Sequence, residues 1–434
     1  MGAPDLIRMQ VMWNRLIAIV EEQAQVLIRA SFSTSTREAG DLSAGVFDRQ
    51  GRMLAQSVTG TPGHVNSMAA SVVHFLDEFP VTSMEPGDIF MTNDPWKGTG
   101  HLYDFVVVTP VFRPGREDDG VVALFACTSH VVDVGGVGLG TEGREIFHEG
   151  LYLPLIRLAR NGEFDDTVMA IIRANTRAPE MVDGDVHSLA ACNDRGALRL
   201  VEMMDEFGLD DLDELGGHVI DRSREAMLRL IAELPHGTWN AKMRIDGIEG
   251  PIDLVAQMTV SPSGIDIDFD GTSEQAKWGI NVPLAYTDAY TSFGVRCIVG
   301  PDVPNNSGSL EVIRVTAPLG SILNAPHPAP VNARHVIGQM LPDTIFGCLS
   351  QILPDRVPAE GTSSLWNIHL DGNWADGERY VVMSFHSGGA GARPSSDGLS
   401  ATAFPSGVRN MPVEINEAIS PIAVSYTHLR AHET

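Results

Sequence analysis

A chain of 434 residues with 43% hydrophobic and 20% charged side chains has the material for a real core and the length for two or three domains. Its formal net charge of −26 repels phosphate backbones and argues against a nucleic-acid partner. The four cysteines (Cys127, Cys192, Cys297, Cys348) are scattered without a CxxC pair, which argues against a disulfide framework or a cysteine-rich zinc site and fits a reducing cytoplasm.

The chain opens with MGAPDLIRMQVMWNRL, where no basic region precedes a long apolar run, so no signal peptide is expected. Position six is Leu, which disfavours myristoylation, and no apolar stretch reaches the roughly 18 residues of a membrane span. Over residues 5–30, Leu6, Ile7, Met9, Leu16, Ile19, Val20 and Leu27 recur at helical spacing. SFSTSTREAGD reads as a polar loop, and LSAGVFDRQGRMLAQS as a hairpin turning at Asp48-Arg49-Gln50-Gly51. A helix is expected from Asn66 to Phe79, ended by Pro80. Phe105–Phe112 and Val121–Ser129 read as strands around the turn RPGREDDG.

Residues 163–235 read as helical with breaks near 183–185 and 207–217. From Gly237 the pattern shifts to the short strands TWNAKMRID, PIDLVAQMTVS and GIDIDFDG. Helices follow at Tyr286–Val299 and near Gly338–Ile352. Without a steady βαβ rhythm, the pattern predicts an α+β fold of mixed, mainly antiparallel sheets with flanking helices, in more than one domain. We place an N-terminal α+β domain at 1–235, which carries the candidate site, and a second, truncated α+β domain at 236–423. Residues 424–434, VSYTHLRAHET, back-translate to a transposase sequencing adapter and are read as non-native.

The segment NDPWKGTGHLYDFVVVTPVF sets His101 and Asp104 just before an apolar strand, where uncompensated polar groups are costly. Pairing Phe112 with Val121 sets Asp104 opposite Ser129 and His130 opposite Tyr103, which gathers His101, Asp104 and His130 at one rim of the hairpin. Two imidazoles and a carboxylate suit Zn, Mn or Fe(II), and three ligands leave open positions for water or substrate. The same residues also fit solvent-facing polar positions. Asp41 reads equally as a turn residue, and Asp133 in SHVVDVGG and Glu149 before LYLPLI equally as structural groups. GLGTEG lacks the helix of a dinucleotide site, GGAGARPSSDG lacks the GK[ST] of a P-loop, and neither GxSxG nor HExxH occurs.

In this order, REAGDLSAGVFDRQG, GHVNSM, NDPWKGTGHLYD, SHVVDVGG, REIFHEGLYLP, DFDGTSEQAKWGIN, VPNNSGSLEVI and FHSGGAGARPSSDG resemble segments of the hydantoinase B/oxoprolinase family, over residue 10 or so to about 420. The resemblance implies a B-type subunit of an ATP-dependent enzyme, hydrolysing the C–N bond of a cyclic amide. An A-type ATPase partner phosphorylates the carbonyl oxygen of a hydantoin, lactam or 5-oxoproline, and the B-type chain opens the ring with water. The alternative it implies is a subunit of an ATP-dependent ketone carboxylase of the acetone or acetophenone type; an inactive scaffold is a third reading. It also implies a divalent metal (Mn, Zn or Fe) on His101, Asp104 and His130 with Asp41 as fourth ligand, and ATP bound by the partner. Asp133 and Glu149 are the general-base candidates. Gly98, Gly100, Gly135 and Gly136 are expected to let backbone approach the substrate.

Overall fold

The computed structural model describes residues 3–363, 365–373, 377, 379–411 and 415; the adapter-like segment 424–434 lies outside them. The amphipathic N-terminal stretch forms helix α1 (Ala3–Ala30), and the polar segment after it contains a short buried helix, α2 (Thr34–Arg37). Thr34, Ser35 and Thr36 are buried there, and Asp185 accepts hydrogen bonds from the backbone N–H groups of Phe32 (2.8 Å) and Ser33 (3.1 Å) just before the helix. Seven strands follow: β1 (Leu42–Phe47), β2 (Met53–Gln56), β3 (Ile89–Thr92), β4 (Asp104–Val111), β5 (Ala123–His130), β6 (Ile156–Arg160) and β7 (Glu163–Phe164). They form one sheet in the order β2-β1-β5-β4-β3-β6-β7, antiparallel at every pairing.

Strands β1, β3, β4 and β5 are buried along their whole length, so both faces of the central sheet are covered. Phe105 and Val107 of β4 join Cys127 of β5 in one core, and Val111 and Phe125 belong to the core that includes Leu16 and Val20 of α1. Val106, Val108, Leu124 and Ala126 point to the other face, against Met68, Val72 and Phe75 of helix α3 (Pro62–Glu78). Helix α4 (Asp166–Asn175) leads into α5 (Pro179–Phe207), and α6 (Asp213–Ala232) completes the helical layer. The break expected near 183–185 does not occur. Gly184 lies inside α5, where a Cβ would fall 2.4 Å from the Phe32 ring, so this glycine serves close packing rather than a turn.

A second sheet, β11-β10-β9-β8, contains β8 (Gly237–Ile245), β9 (Ile252–Ser261), β10 (Gly264–Asp268) and β11 (Ile313–Thr316). Only β10–β11 is parallel. Its alternating burial shows one face on a core and one in water. After α7 (Leu284–Val299) and the short α8 (Ser307–Leu310), which packs on α6, come α9 (His335–Gly338) and α10 (Leu341–Leu349); α7, α9 and α10 close that core. Helix α7 also packs on α3, where Gly63 lets Tyr286 and Tyr290 approach; a Cβ there would lie 2.6 Å from both rings. A hairpin of β12 (Leu365–Asn373) and β13 (Arg379–Ser387) forms a separate two-stranded sheet, and its Leu365 and Phe385 reach the first core. The architecture is therefore α+β with mainly antiparallel sheets and flanking helices, as the sequence predicts.

Candidate metal centre

The turn before β4 is clamped from several sides. Asn93 donates to the carbonyls of Leu102 (2.7 Å) and Leu151 (2.9 Å) and accepts from Leu153 N–H at 2.7 Å. Asp94 accepts from Trp96 N–H at 2.9 Å, and the Trp96 indole donates to Ala325 O at 2.8 Å. NDPW thus fixes where the chain enters the strand. Gly100 has φ +99°, and a Cβ there would lie 2.6 Å from Arg334 Cδ. The nearest neighbours of Gly100 and Gly136 belong to this chain (Arg334, and the Glu149–Gly150 backbone), so their small size is already required without a ligand.

The observed hairpin register differs by one residue from the expected one. Val111 pairs with Ala123, which sets Asp104 directly opposite His130. The connection spans 112–122, and Val122 N–H bonds back to Val111 O at 2.9 Å, which lengthens the turn. The shift matters because a one-residue slip turns a strand's side chains to the other face. In the observed register Asp104 and His130 share the face that α3 covers.

His101, Asp104 and His130 are all buried and offer ligand atoms within 4.8 Å of one another. His101 Nδ1 lies 2.9 Å from the carbonyl oxygen of Asn332, and that bond makes Nδ1 the donor. Its Nε2 then carries a lone pair, sits 2.9 Å from Asp104 Oδ1, and lacks hydrogen-bond alignment with it. Two electron-rich atoms facing each other in a dry interior call for a cation between them. His130 Nδ1 lies 3.2 Å from the same Oδ1, and its Nε2 has no partner. The His101 and His130 ring centroids are 5.0 Å apart. Burial, reinforced by Arg334, pushes the His101 pKa down to about 4, so this imidazole is neutral at pH 7, the form that ligates metals. The donor set therefore fits a divalent transition metal.

Asp104 has further partners. Its Oδ2 accepts from Thr99 Oγ1 (2.7 Å) and Arg334 Nη2 (2.5 Å) and lies 3.0 Å from His64 Nε2. Burial would raise its pKa, but His101, His64 and Arg334 outweigh that and hold it well below the usual carboxylate range. The Arg334 guanidinium also lies 4.1 Å over the Tyr286 ring.

Asp41 is buried nearby. Its Oδ1 accepts from Thr61 Oγ1 at 2.9 Å, and its Oδ2 lies 3.7 Å from His130 Nδ1. It stands outside the three-residue set, and His64 lies between it and Asp104, with Nδ1 3.5 Å from Asp41 Oδ1. For His64, burial opposes protonation, but Asp104 and Asp41 prevail and raise its pKa. His64 and Arg334 are the residues that sequence reasoning missed. His64 sits in GHVNSM, a segment already recognised, whereas Arg334 in VNARHV carries no local signal.

Asp133 and Glu149 do not line the cavity at this centre. Asp133 is fully buried, with Oδ1 accepting from Arg177 Nη1 at 2.7 Å and Oδ2 from the Arg177 backbone N–H. Glu149 Oε1 accepts from Val331 N–H (2.9 Å) and Asn332 N–H (3.0 Å), the peptides next to the carbonyl that holds His101. Its Oε2 has no partner, and burial pushes its pKa up to about 8. The cavity, of about 20 Å³, lies beneath Leu365, Asn367, Phe385 and Val408. That space suits one ion or water and not an organic ring.

The scaffold is a mixed sheet-and-helix fold that buries two histidines and a carboxylate close enough together to hold a metal ion. The chain belongs to the hydantoinase B/oxoprolinase family, whose sequence profile matches residues 5–433. It is 29% identical over 452 residues to a protein of Pseudomonas sp. (strain NS671) provisionally named as the B-type subunit of a D-/L-hydantoinase, covering 99% of this chain and 75% of that one. The fold matches the crystal structure of ATP-dependent caprolactamase from Pseudomonas jessenii with a TM-score of 0.88 at 24% identity, over 97% of this chain and 74% of that one. It also matches nucleotide-free acetone carboxylase with a TM-score of 0.84 at 19% identity, over 95% and 57%. The chain spans 66% of an archaeal relative's length and about a third of the 5-oxoprolinases it matches. Among the described residues, no helix is long and apolar enough to cross a membrane.

Proposed function

We propose that this chain is the B-type subunit of an ATP-dependent cyclic-amide hydrolase of the cytoplasm. It opens a hydantoin, lactam or 5-oxoproline ring after an A-type partner has phosphorylated the carbonyl oxygen. The observation that carries the reading is the buried His101–Asp104–His130 set, in which one imidazole nitrogen of each histidine lacks a hydrogen-bond partner. The names of the hydantoinase and caprolactamase relatives support the reaction class.

We assign His101, Asp104 and His130 as metal ligands and Asp41 as the fourth, reached by a small shift of its carboxylate. A divalent Mn, Zn or Fe ion held there would supply Lewis-acid polarisation of the activated carbonyl. The chain's own part is to keep His101 neutral and oriented through Asn332 O, and to hold Asp104 ionised through Arg334 and His64. Of the two carboxylates considered as bases, Asp133 has both oxygens on Arg177, while Glu149 keeps one free. We assign Glu149 to positioning the 331–332 peptide behind His101, with its proton exchangeable near neutral pH.

The test is metal analysis and ring-opening assays on the chain co-expressed with its ATPase partner. Near-stoichiometric metal and ATP-dependent hydrolysis are expected. His101→Ala should lose the metal and at least about a hundredfold of activity with an unchanged circular dichroism spectrum. Full metal content in that variant would refute the ligand assignment. ATP turnover that depends on bicarbonate would instead favour a ketone carboxylase, the reading that the acetone carboxylase fold supports.

A further inference from the structure

A second cavity, of about 480 Å³, lies between α1, β2, α3, α7 and the loop 300–305, and shares no lining residue with the His/Asp centre. Its size is that of a small-molecule site. Leu54, Val65 and Phe293 supply apolar walls. One charged side chain on that lining lacks a counter-charge. Arg296 is only 8% exposed, and its hydrogen bonds go to Ser309 Oγ and the Val303 carbonyl, both neutral. No carboxylate contributes to its electrostatics, and burial pushes its pKa down to about 10, so it remains a charged guanidinium without a counter-charge.

A buried cation without an anion is costly. The missing anion is supplied by one ligand feature, a carboxylate, whose oxygens can take the guanidinium. The apolar walls then take a hydrocarbon body. Asp302 on the same rim is solvent-exposed, so water screens its charge. The two residues that hold Arg296, Val303 and Ser309, belong to VPNNSGSLEVI, a recognised segment that the His/Asp centre leaves unused.

We propose that this cavity is a binding site for a small organic carboxylate with an apolar body, held by Arg296. The inference does not depend on the reaction proposed above.

Isothermal titration of the purified full chain with hexanoate, hexanamide and hexylammonium at equal millimolar concentrations tests it. Hexanoate is expected to bind, hexanamide at least about tenfold more weakly, and hexylammonium not at all. Cys297 lines the cavity and is the one cysteine that is not fully buried, so hexanoate should slow its reaction with N-ethylmaleimide. Arg296→Met should abolish both effects with an unchanged circular dichroism spectrum. Should Arg296→Met not fold, the three-ligand series on the unmodified chain decides. Equal binding of all three compounds, no binding of hexanoate, or wild-type binding by folded Arg296→Met would each overturn the proposal.

Discussion

The two larger sheets handle charge in opposite ways. In the seven-stranded sheet, β4 and β5 are buried from end to end, and their polar residues Asp104 and His130 meet partners in a dry interior. In the four-stranded sheet, β8 alternates half-buried and exposed positions, and its ion pairs face water. Arg244 Nε and Nη2 reach the two oxygens of Asp253 at 2.7 and 2.8 Å, and Lys242 Nζ adds a contact at 2.8 Å. The distances match those around Asp104, but the dielectric does not. Identical contact geometry therefore carries structural weight in one sheet and little in the other.

Asp104→Ala sharpens the contrast most. It leaves Arg334 buried without its anion and strands His64 and His101 together. Breaking one side of a buried pair costs about 3–5 kcal/mol, so the denaturation midpoint should fall steeply and metal content should vanish. Asp104→Asn keeps the shape and should lose the metal with a smaller stability penalty. A variant at this position as stable as the parent would show that the interior is wet and the comparison misplaced.

Glu149 gives the next largest effect, read through pH. Its folded pKa of about 8 lies above the ordinary value of 4.5, so the folded state holds the proton more tightly than the unfolded chain. The stability linked to that proton is fully present below about pH 4.5 and is lost as pH rises through about 8. The loss is up to about 5 kcal/mol at the plateau. Tyr103, whose own pKa is raised by burial and then by Asp133, faces the same region and stays neutral throughout. Glu149→Gln mimics the protonated form and keeps an acceptor for Val331 and Asn332, so it should flatten the stability profile over this window. An unchanged slope in chemical denaturation at pH 5, 7 and 8.5 would remove Glu149 as its source.

Much of this was legible in the chain because local rules dominated. The period of α1, the Asp48–Gly51 turn and the alternation of β8 and β9 follow from side-chain direction alone. His101, Asp104 and His130 could be gathered because they flank two strands joined by one turn. The register of that hairpin was off by one residue, since RPGREDDG gave no measure of how many residues the turn consumes. Gly184 misled because a glycine reads the same whether it turns the chain or admits a Phe32 ring. Arg334 was invisible for another reason. It reaches Asp104 across 230 positions, and no local pattern encodes a contact of that range.

The smallest expected effect is the most discriminating. Arg244 and then Lys242 hold the Asp253 carboxyl well below its usual range, a shift as marked in direction as the one at Asp104. That shift measures local attraction in a solvated setting, where mobile side chains and salt recover most of it when the pair is broken. Asp253→Asn should therefore leave the denaturation midpoint indistinguishable from the parent at about 150 mM salt, with any difference confined to low salt. The cross-strand register of Arg244 and Asp253 survives because β8 and β9 are fixed by their inward residues Leu254, Ala256 and Met258. A loss comparable to that of Asp104→Ala would mean that the exposed face of this sheet is covered in the assembled protein. The contrast would then lie between two interiors rather than between an interior and a surface.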